Sequence, residues 1–228
     1  MIQSQTYLRA VLTADQDLVP DDPWAYREAW IDAFRAHGIF PRGVTSLFED
    51  ALVWKAPQQP IPNLEALSFA ELRFQGDPAR AAGADELRRQ ACALGALLSR
   101  PEFARHFGLA IPGRRPNDVI ERPCVHTIRS SRRVGPQGQV VFDLIAEVTQ
   151  KRVVTRHGEK FTFYGGSTII LGPEGEFRYV IGKSVTNDRR LEDQLRFTRG
   201  GGAVYWNLDG EGEWRPEPQP FRLRHEER

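Results

Sequence analysis

Val140-Val141-Phe142-Asp143-Leu144-Ile145-Ala146-Glu147-Val148 is the stretch that decides the fold class. Phe142, Leu144, Ala146 and Val148 occupy alternate positions, with Val141, Asp143, Ile145 and Glu147 between them. Side chains of an extended chain point alternately to two faces, so this is a strand with one well-buried face. Turn sequences punctuate it and its neighbours: Gly135-Pro136-Gln137-Gly138 before it, His157-Gly158 after Val154, and Gly172-Pro173-Glu174-Gly175 between Thr168–Leu171 and Phe177–Ile181. The spacing predicts an antiparallel β-meander from about residue 124. Gly165-Gly166 inside a strand pattern predicts a bulge or a close backbone approach. Asn187 to Phe197 places Leu191 and Leu195, with Phe197 beside them, on one side of a helix that would close one sheet face and stop at Gly200-Gly201-Gly202.

Upstream of the meander the period is helical. Thr6 to Ala14 puts Tyr7, Val11 and Ala14 on one face, with Leu8 and Leu12 beside them, and an acidic loop from Asp15 to Asp22 follows. The next helix is punctuated by Asp22 as N-cap, Pro23 at the first helical position and Gly38 beyond the last turn, with Tyr26, Trp30, Ala33, Phe34 and His37 as the expected buried stripe. Leu47, Leu52 and Trp54 are expected in the core. Ala56 to Pro62 is a stiff, proline-rich break. Helical patterning resumes at Leu64, Leu67 and Leu72, and again from Ala84 to Leu98, with Cys92 in an apolar setting. Ser99-Arg100-Pro101-Glu102 reads as a capping box for a helix from Pro101 to Phe107 that stops at Gly108. The expected fold is therefore α+β, with an N-terminal helical part packed with a C-terminal antiparallel meander. Its segments are a helical 1–56, a helical 63–110, a sheet with closing helix over 124–199, and a tail over 203–228.

The 228 residues carry 31 basic and 30 acidic side chains, a formal net charge of +1, with 40% hydrophobic residues. That composition excludes wholesale disorder, and no global field draws the chain to nucleic acid or an anionic membrane. Two cysteines, Cys92 and Cys124, make no disulfide framework. Met1 to Thr6 has no basic stretch leading into an apolar run, and charges interrupt every apolar segment, so the expectation is a cytoplasmic protein without a membrane partner.

Two blocks carry a family resemblance. The first runs from Tyr7 to Asp15 through Asp17-Leu18-Val19-Pro20-Asp21-Asp22 to Tyr26-Arg27, Ala33-Phe34-Arg35 and Gly38-Ile39-Phe40-Pro41. The second is Phe163 to Leu171, then Gly175, Arg178-Tyr179, Ile181 and Lys183. Together they resemble the C-terminal noncatalytic region of large bacterial proteins similar to thermolysin-type (gluzincin) metallopeptidases. Catalysis in that family needs His-Glu-x-x-His on a helix, with two imidazoles on zinc and the Glu as general base. Here the single His-Glu pair, His225-Glu226, is followed by Glu227-Arg228. The resemblance thus implies a noncatalytic accessory module in a peptidase-related assembly and carries over no catalytic residue, metal or cofactor.

The remaining chemistry is sparse. Cys124 and His126 lie two apart on a strand and share a face, but a zinc site needs further donors and no other histidine has matching spacing. Asp15, Asp17, Asp21 and Asp22 offer oxygen ligands without the pattern of a calcium loop. Neither glycine cluster makes a phosphate loop, and Ser167 has no nucleophile-elbow flanks. An enzyme of unrecognised type would draw on Cys124, His126, Asp143 and Glu147.

Charge is asymmetric: residues 124–199 carry thirteen Lys and Arg against eight Asp and Glu, whereas residues 1–60 carry five against eight. A basic sheet face with Arg129, Arg132, Arg133, Lys151, Arg152 and Arg156 is the candidate for a nucleic-acid-binding alternative. The main expectation is a protein partner. Trp24, Trp30, Trp54, Trp206 and Trp214 are the candidate interface residues, because tryptophan dominates protein interfaces. Two or more of Trp24, Trp30 and Trp54 are expected to pack as scaffold, with an exposed partner-binding anchor as the alternative.

Overall fold

The computed structural model describes residues 4–41, 43–78, 80–202 and 205–216, and the rest of the expected 203–228 tail, with His225-Glu226, lies outside the described residues. In chain order the α-helices are α1 (Ser4–Leu18), α2 (Tyr26–Ala36), α3 (Glu49–Leu52), α4 (Ala84–Leu98), α5 (Pro101–Ala104) and α6 (Asp188–Arg199). The strands are β1 (Gly113–Arg115), β2 (Asp118–Ile120), β3 (Cys124–Val134), β4 (Val140–Arg156), β5 (Glu159–Leu171), β6 (Phe177–Lys183), β7 (Trp206–Leu208) and β8 (Glu213–Pro216). The class is α+β, helices first and a mostly antiparallel eight-stranded sheet after them. The sheet runs β1-β2-β4-β5-β8-β7, with β3 on β4 and β6 on β5, and β5 and β8 pair in parallel at Lys160–Glu213 and Phe161–Trp214.

The turns form where the sequence placed them. His157 and Gly158 join β4 to β5 with φ of 55° and 82°, the two positive angles that a tight hairpin of this twist demands. β4 is much longer than Val140–Val148. Its alternation continues through buried Gln150, Arg152 and Val154, polar groups that hide the period from a hydrophobicity reading.

The chain divides into two compact units, neither a continuous run of sequence. The first gathers Met1–Gly83, Arg129–Ile145 and Ile170–Tyr179. Its helical core is Leu8, Leu12, Ile31, Leu52 and Val53, with Phe34, Val44 and Leu47 against it. Here α1 runs on through Leu18, so Asp15 and Asp17 are helical rather than part of a loop. α2 starts at Tyr26, after a left-handed Ala25, and not at Pro23. Asp22 still caps it, its carboxylate accepting from the amides of Tyr26 (2.9 Å) and Arg27 (3.0 Å). The expected helix over Leu64–Leu72 is only two 3-10 turns, whose amides at Leu64 and Phe69 donate to the carbonyls of Gly175 and Pro173.

The second unit gathers Ala84–Ile128, Ala146–Ile169 and Val180–Arg228. α6 lies over the sheet through a core of Val154, Phe161, Phe163, Leu191 and Leu195, with Trp214 against it. Asn187 caps α6 by accepting from the Arg190 amide at 3.0 Å. Phe197, expected inward, is exposed. The close backbone approach expected at Gly165-Gly166 is real: a β-carbon at Gly165 would strike the backbone of Val185, and one at Gly166, where φ is 137°, the carbonyl of Val148. Gly108 stops the short helix after Phe107 with φ of 68°. Ser99 makes no capping box, because its hydroxyl donates back to Gly95 (2.7 Å) while Glu102 pairs with Arg100. Cys92 is exposed, not apolar in setting.

Candidate protein-binding face

The orientation of α2 about its own axis sets the principal site. Arg27, only 3% exposed, anchors the helix by donating to Glu49 Oε1 (2.6 Å), Asp15 Oδ2 (2.8 Å) and the carbonyls of Val19 (2.7 Å) and Pro20 (2.8 Å). Burial pulls the guanidinium pKa down, but hydrogen bonding to Asp15 and the charges of Glu49 and Asp22 outweigh it and hold the group more firmly charged than usual. Ile31, one turn on, enters the apolar core. With Arg27 and Ile31 inward, the stripe expected to be buried turns out to solvent. Tyr26, Trp30, Ala33 and His37 are all exposed, and of that stripe only Phe34 keeps one edge in the core.

The result is an aromatic surface. Trp24 is 75% exposed, Tyr26 61%, Tyr7 50% and Trp30 42%. Tyr7 meets Trp30 edge-on with centroids 6.5 Å apart, and Trp30 meets Phe34 at 6.3 Å. Single exposed hydrophobes are ordinary, whereas several exposed aromatic rings on one helix and its neighbour make this the candidate interaction surface. The scaffold expectation for these indoles is therefore corrected. None of Trp24, Trp30 and Trp54 is buried; Trp54 is half-buried, with the Arg9 guanidinium 5.8 Å from its ring. Trp206 stacks on Phe161 at 6.0 Å, and Trp214 donates to Glu159 Oε2 at 2.9 Å, so both anchor the β7–β8 hairpin.

The six basic candidates do not form one face. By strand alternation Arg132 points opposite to Arg129 and Arg133 on β3, and Lys151 opposite to Arg152 and Arg156 on β4. Arg152 is buried, held by Asp118 (2.5 Å) and Asp188 (2.8 Å). Arg133 pairs with Asp143 (2.6 Å), Lys151 with Glu121 (3.3 Å) and Arg156 with Asp118 (3.6 Å). Arg129 and Arg132 are the two that stay exposed.

The carboxylates are likewise engaged. Asp143 is buried and accepts from Arg133 and from Arg178 (2.8 Å), while Arg178 also donates to Asp17 (2.7 Å). Tyr179 donates to the other Asp17 oxygen at 2.8 Å; burial, then that bond, pushes its phenol up to about 12. The cavity beside Asp143, lined by Phe69, Phe74, Phe142 and Leu144, measures about 10 Å³, the space of one water. Glu147 is half-buried on β4. Cys124 is exposed, and exposed His126 meets the Thr149 hydroxyl at 2.5 Å. Among the described residues no three His, Cys, Asp or Glu side chains converge to hold a metal ion.

Reading by residue type missed the roles of Arg27, Arg152 and Arg178. The available signal was a basic residue at a position where the hydrophobic period demands burial, as at Arg152, two and four residues after Gln150 and Val148. Comparison with family models, with curated proteins and with solved structures finds no match to this chain. No helix among the described residues is long and apolar enough to cross a membrane.

Proposed function

We propose that the chain is a noncatalytic accessory module that binds a protein partner through the exposed aromatic face of α2. The observation that carries this reading is the outward stripe of Tyr26 and Trp30, flanked by Trp24 and Tyr7, on a helix whose neighbouring face is fixed by Arg27 and Ile31. A rigid scaffold that presents indole and phenol rings is the chemistry of an interface hot spot, where large side chains offer area at little entropic cost. The peptidase-related setting comes from the resemblance of the Tyr7–Pro41 and Phe163–Lys183 blocks, the first of which contains this face. The nucleic-acid alternative is left with Arg129 and Arg132, because Arg133, Lys151, Arg152 and Arg156 already pair with carboxylates.

The experiment is affinity capture from the native host with the wild-type chain and with Trp24→Ala/Trp30→Ala, followed by thermal melting of both. Loss of a specific partner at nearly unchanged melting temperature is the expected result. Equal capture by both chains removes α2 as the binding face.

A further inference from the structure

We propose that the occupant of the α2 face is a second copy of this chain, packed antiparallel about a two-fold axis between residues 31 and 32. The inference rests on the reading of α2 as a binding face and names what covers it. Tyr26, Trp30, Ala33 and the C-cap His37 follow one another at spacings of four, three and four, the spacing of a coiled-coil seam over the three turns of α2, and all four are exposed. In an antiparallel pair centred on that axis, Trp30 of each copy lies opposite Ala33 of the other, and Tyr26 lies opposite His37. Large faces small in the central layers, which close packing of two identical surfaces requires. A parallel pair would set Trp30 on Trp30 and Ala33 on Ala33, with overlap in one layer and a void in the next.

Charge agrees with a self-complementary contact. Glu28 and Arg35 lie about half a turn around the helix from Tyr26, and Asp32 beside them, so two copies meet without bringing carboxylates together. Antiparallel pairing also opposes the two helix dipoles. The four exposed aromatic side chains Tyr7, Trp24, Tyr26 and Trp30 present on the order of 450 Å² per copy. Two copies would cover roughly 900 Å² from these rings alone, close to the 1,000 Å² or so that a specific interface clears, with Ala29, Ala33 and His37 adding to it. This is the low end of interface size, where contacts are weak and reversible.

Sedimentation equilibrium of the full chain from about 1 to about 500 μM should show a monomer–dimer equilibrium. Trp30→Ala weakens it about tenfold or more, Ala33→Trp likewise, and Trp30→Ala/Ala33→Trp restores it by exchanging the large and small positions. In a Cys92→Ser/Cys124→Ser background, mixed Tyr26→Cys and His37→Cys chains should give a disulfide-linked dimer on oxidation, while neither does alone. A wild-type chain that stays monomeric throughout, or a dimer indifferent to Trp30→Ala, or cross-linking of Tyr26→Cys with itself, overturns the proposal. If the monomeric chain still loses a heterologous partner on Trp30→Ala, the second copy is excluded and the binding face stands. If Trp30→Ala alters neither association state nor capture, both fall.

Discussion

Asp17 and Arg178 stand 161 positions apart in the chain and 2.7 Å apart in the fold. The contact belongs to a chain of charges, Arg133 to Asp143 to Arg178 to Asp17, that ties the second half of α1 to the strand segments of its own unit. Asp143 is its least exposed member and carries two guanidiniums on one oxygen, while its other oxygen, Oδ1, is buried without a partner.

Asp143→Ala should destabilise the protein by about 3 kcal/mol, because it leaves two partly buried cations without their shared acceptor. Asp32→Ala removes an ion pair exposed on both sides and should cost no more than about 0.5 kcal/mol. Urea denaturation of the two variants checks the contrast. Equal small losses would show that the network contributes no more than a surface pair.

Tyr179 sets an alkaline limit. Its folded pKa, pushed up to about 12 by burial and by Asp17, lies above the ordinary value of 10, so the folded state holds the proton more tightly than the unfolded chain. That contribution is complete below about pH 10 and is lost as pH rises toward 12. Ultraviolet difference titration should show one of the five tyrosines ionising late, and Asp17→Asn should bring it down. The absence of a late-ionising tyrosine would contradict the Asp17 contact.

At low concentration Trp30→Ala should cost about 1 kcal/mol, well below the 3 to 5 kcal/mol usual for a buried large aromatic, since its ring is 42% exposed and meets Tyr7 and Phe34 at 6.5 and 6.3 Å. Phe163→Ala, in the sealed core beneath α6, should cost about 3 to 5 kcal/mol. Thermal melts of both distinguish a surface anchor from a scaffold residue.

Gly166→Ala tests the close approach inside β5. The added methyl meets the Val148 carbonyl and the Thr149 α-carbon, and the φ of 137° strains any side chain. A loss of about 3 kcal/mol or more is expected, against a gain of up to about 1 kcal/mol for Gly95→Ala in α4, because space at Gly95 is open and alanine favours a helix. Denaturant midpoints measure it. A neutral Gly166→Ala would mean that the two strands part easily at this point.

Local chemistry determined a good part of this protein. Alternation over Phe142–Val148, the paired turn residues His157-Gly158, the inward Leu191 and Leu195 of α6, and Gly38 and Gly108 as stops all follow from backbone geometry and near neighbours, and the sequence shows them directly. So does the chemical character of the candidate face, since Trp24 and Trp30 stand out by residue type alone. Which side of α2 would be hidden was a different matter. An apolar stripe and a single arginine compete for the interior, and the arginine wins only because Asp15, Glu49 and two carbonyls from elsewhere in the chain converge on Arg27 and offset its desolvation. The basic residues of β3 and β4 behave alike: their partners Asp118, Glu121, Asp143 and Asp188 lie 10 to 36 positions away where a hydrogen bond forms, beyond the reach of any helical or strand period. Hydrophobic periodicity reports what a segment prefers to bury by itself. Only the assembled fold supplies the countercharges that decide whether a buried arginine, and an exposed tryptophan, is the lower free energy.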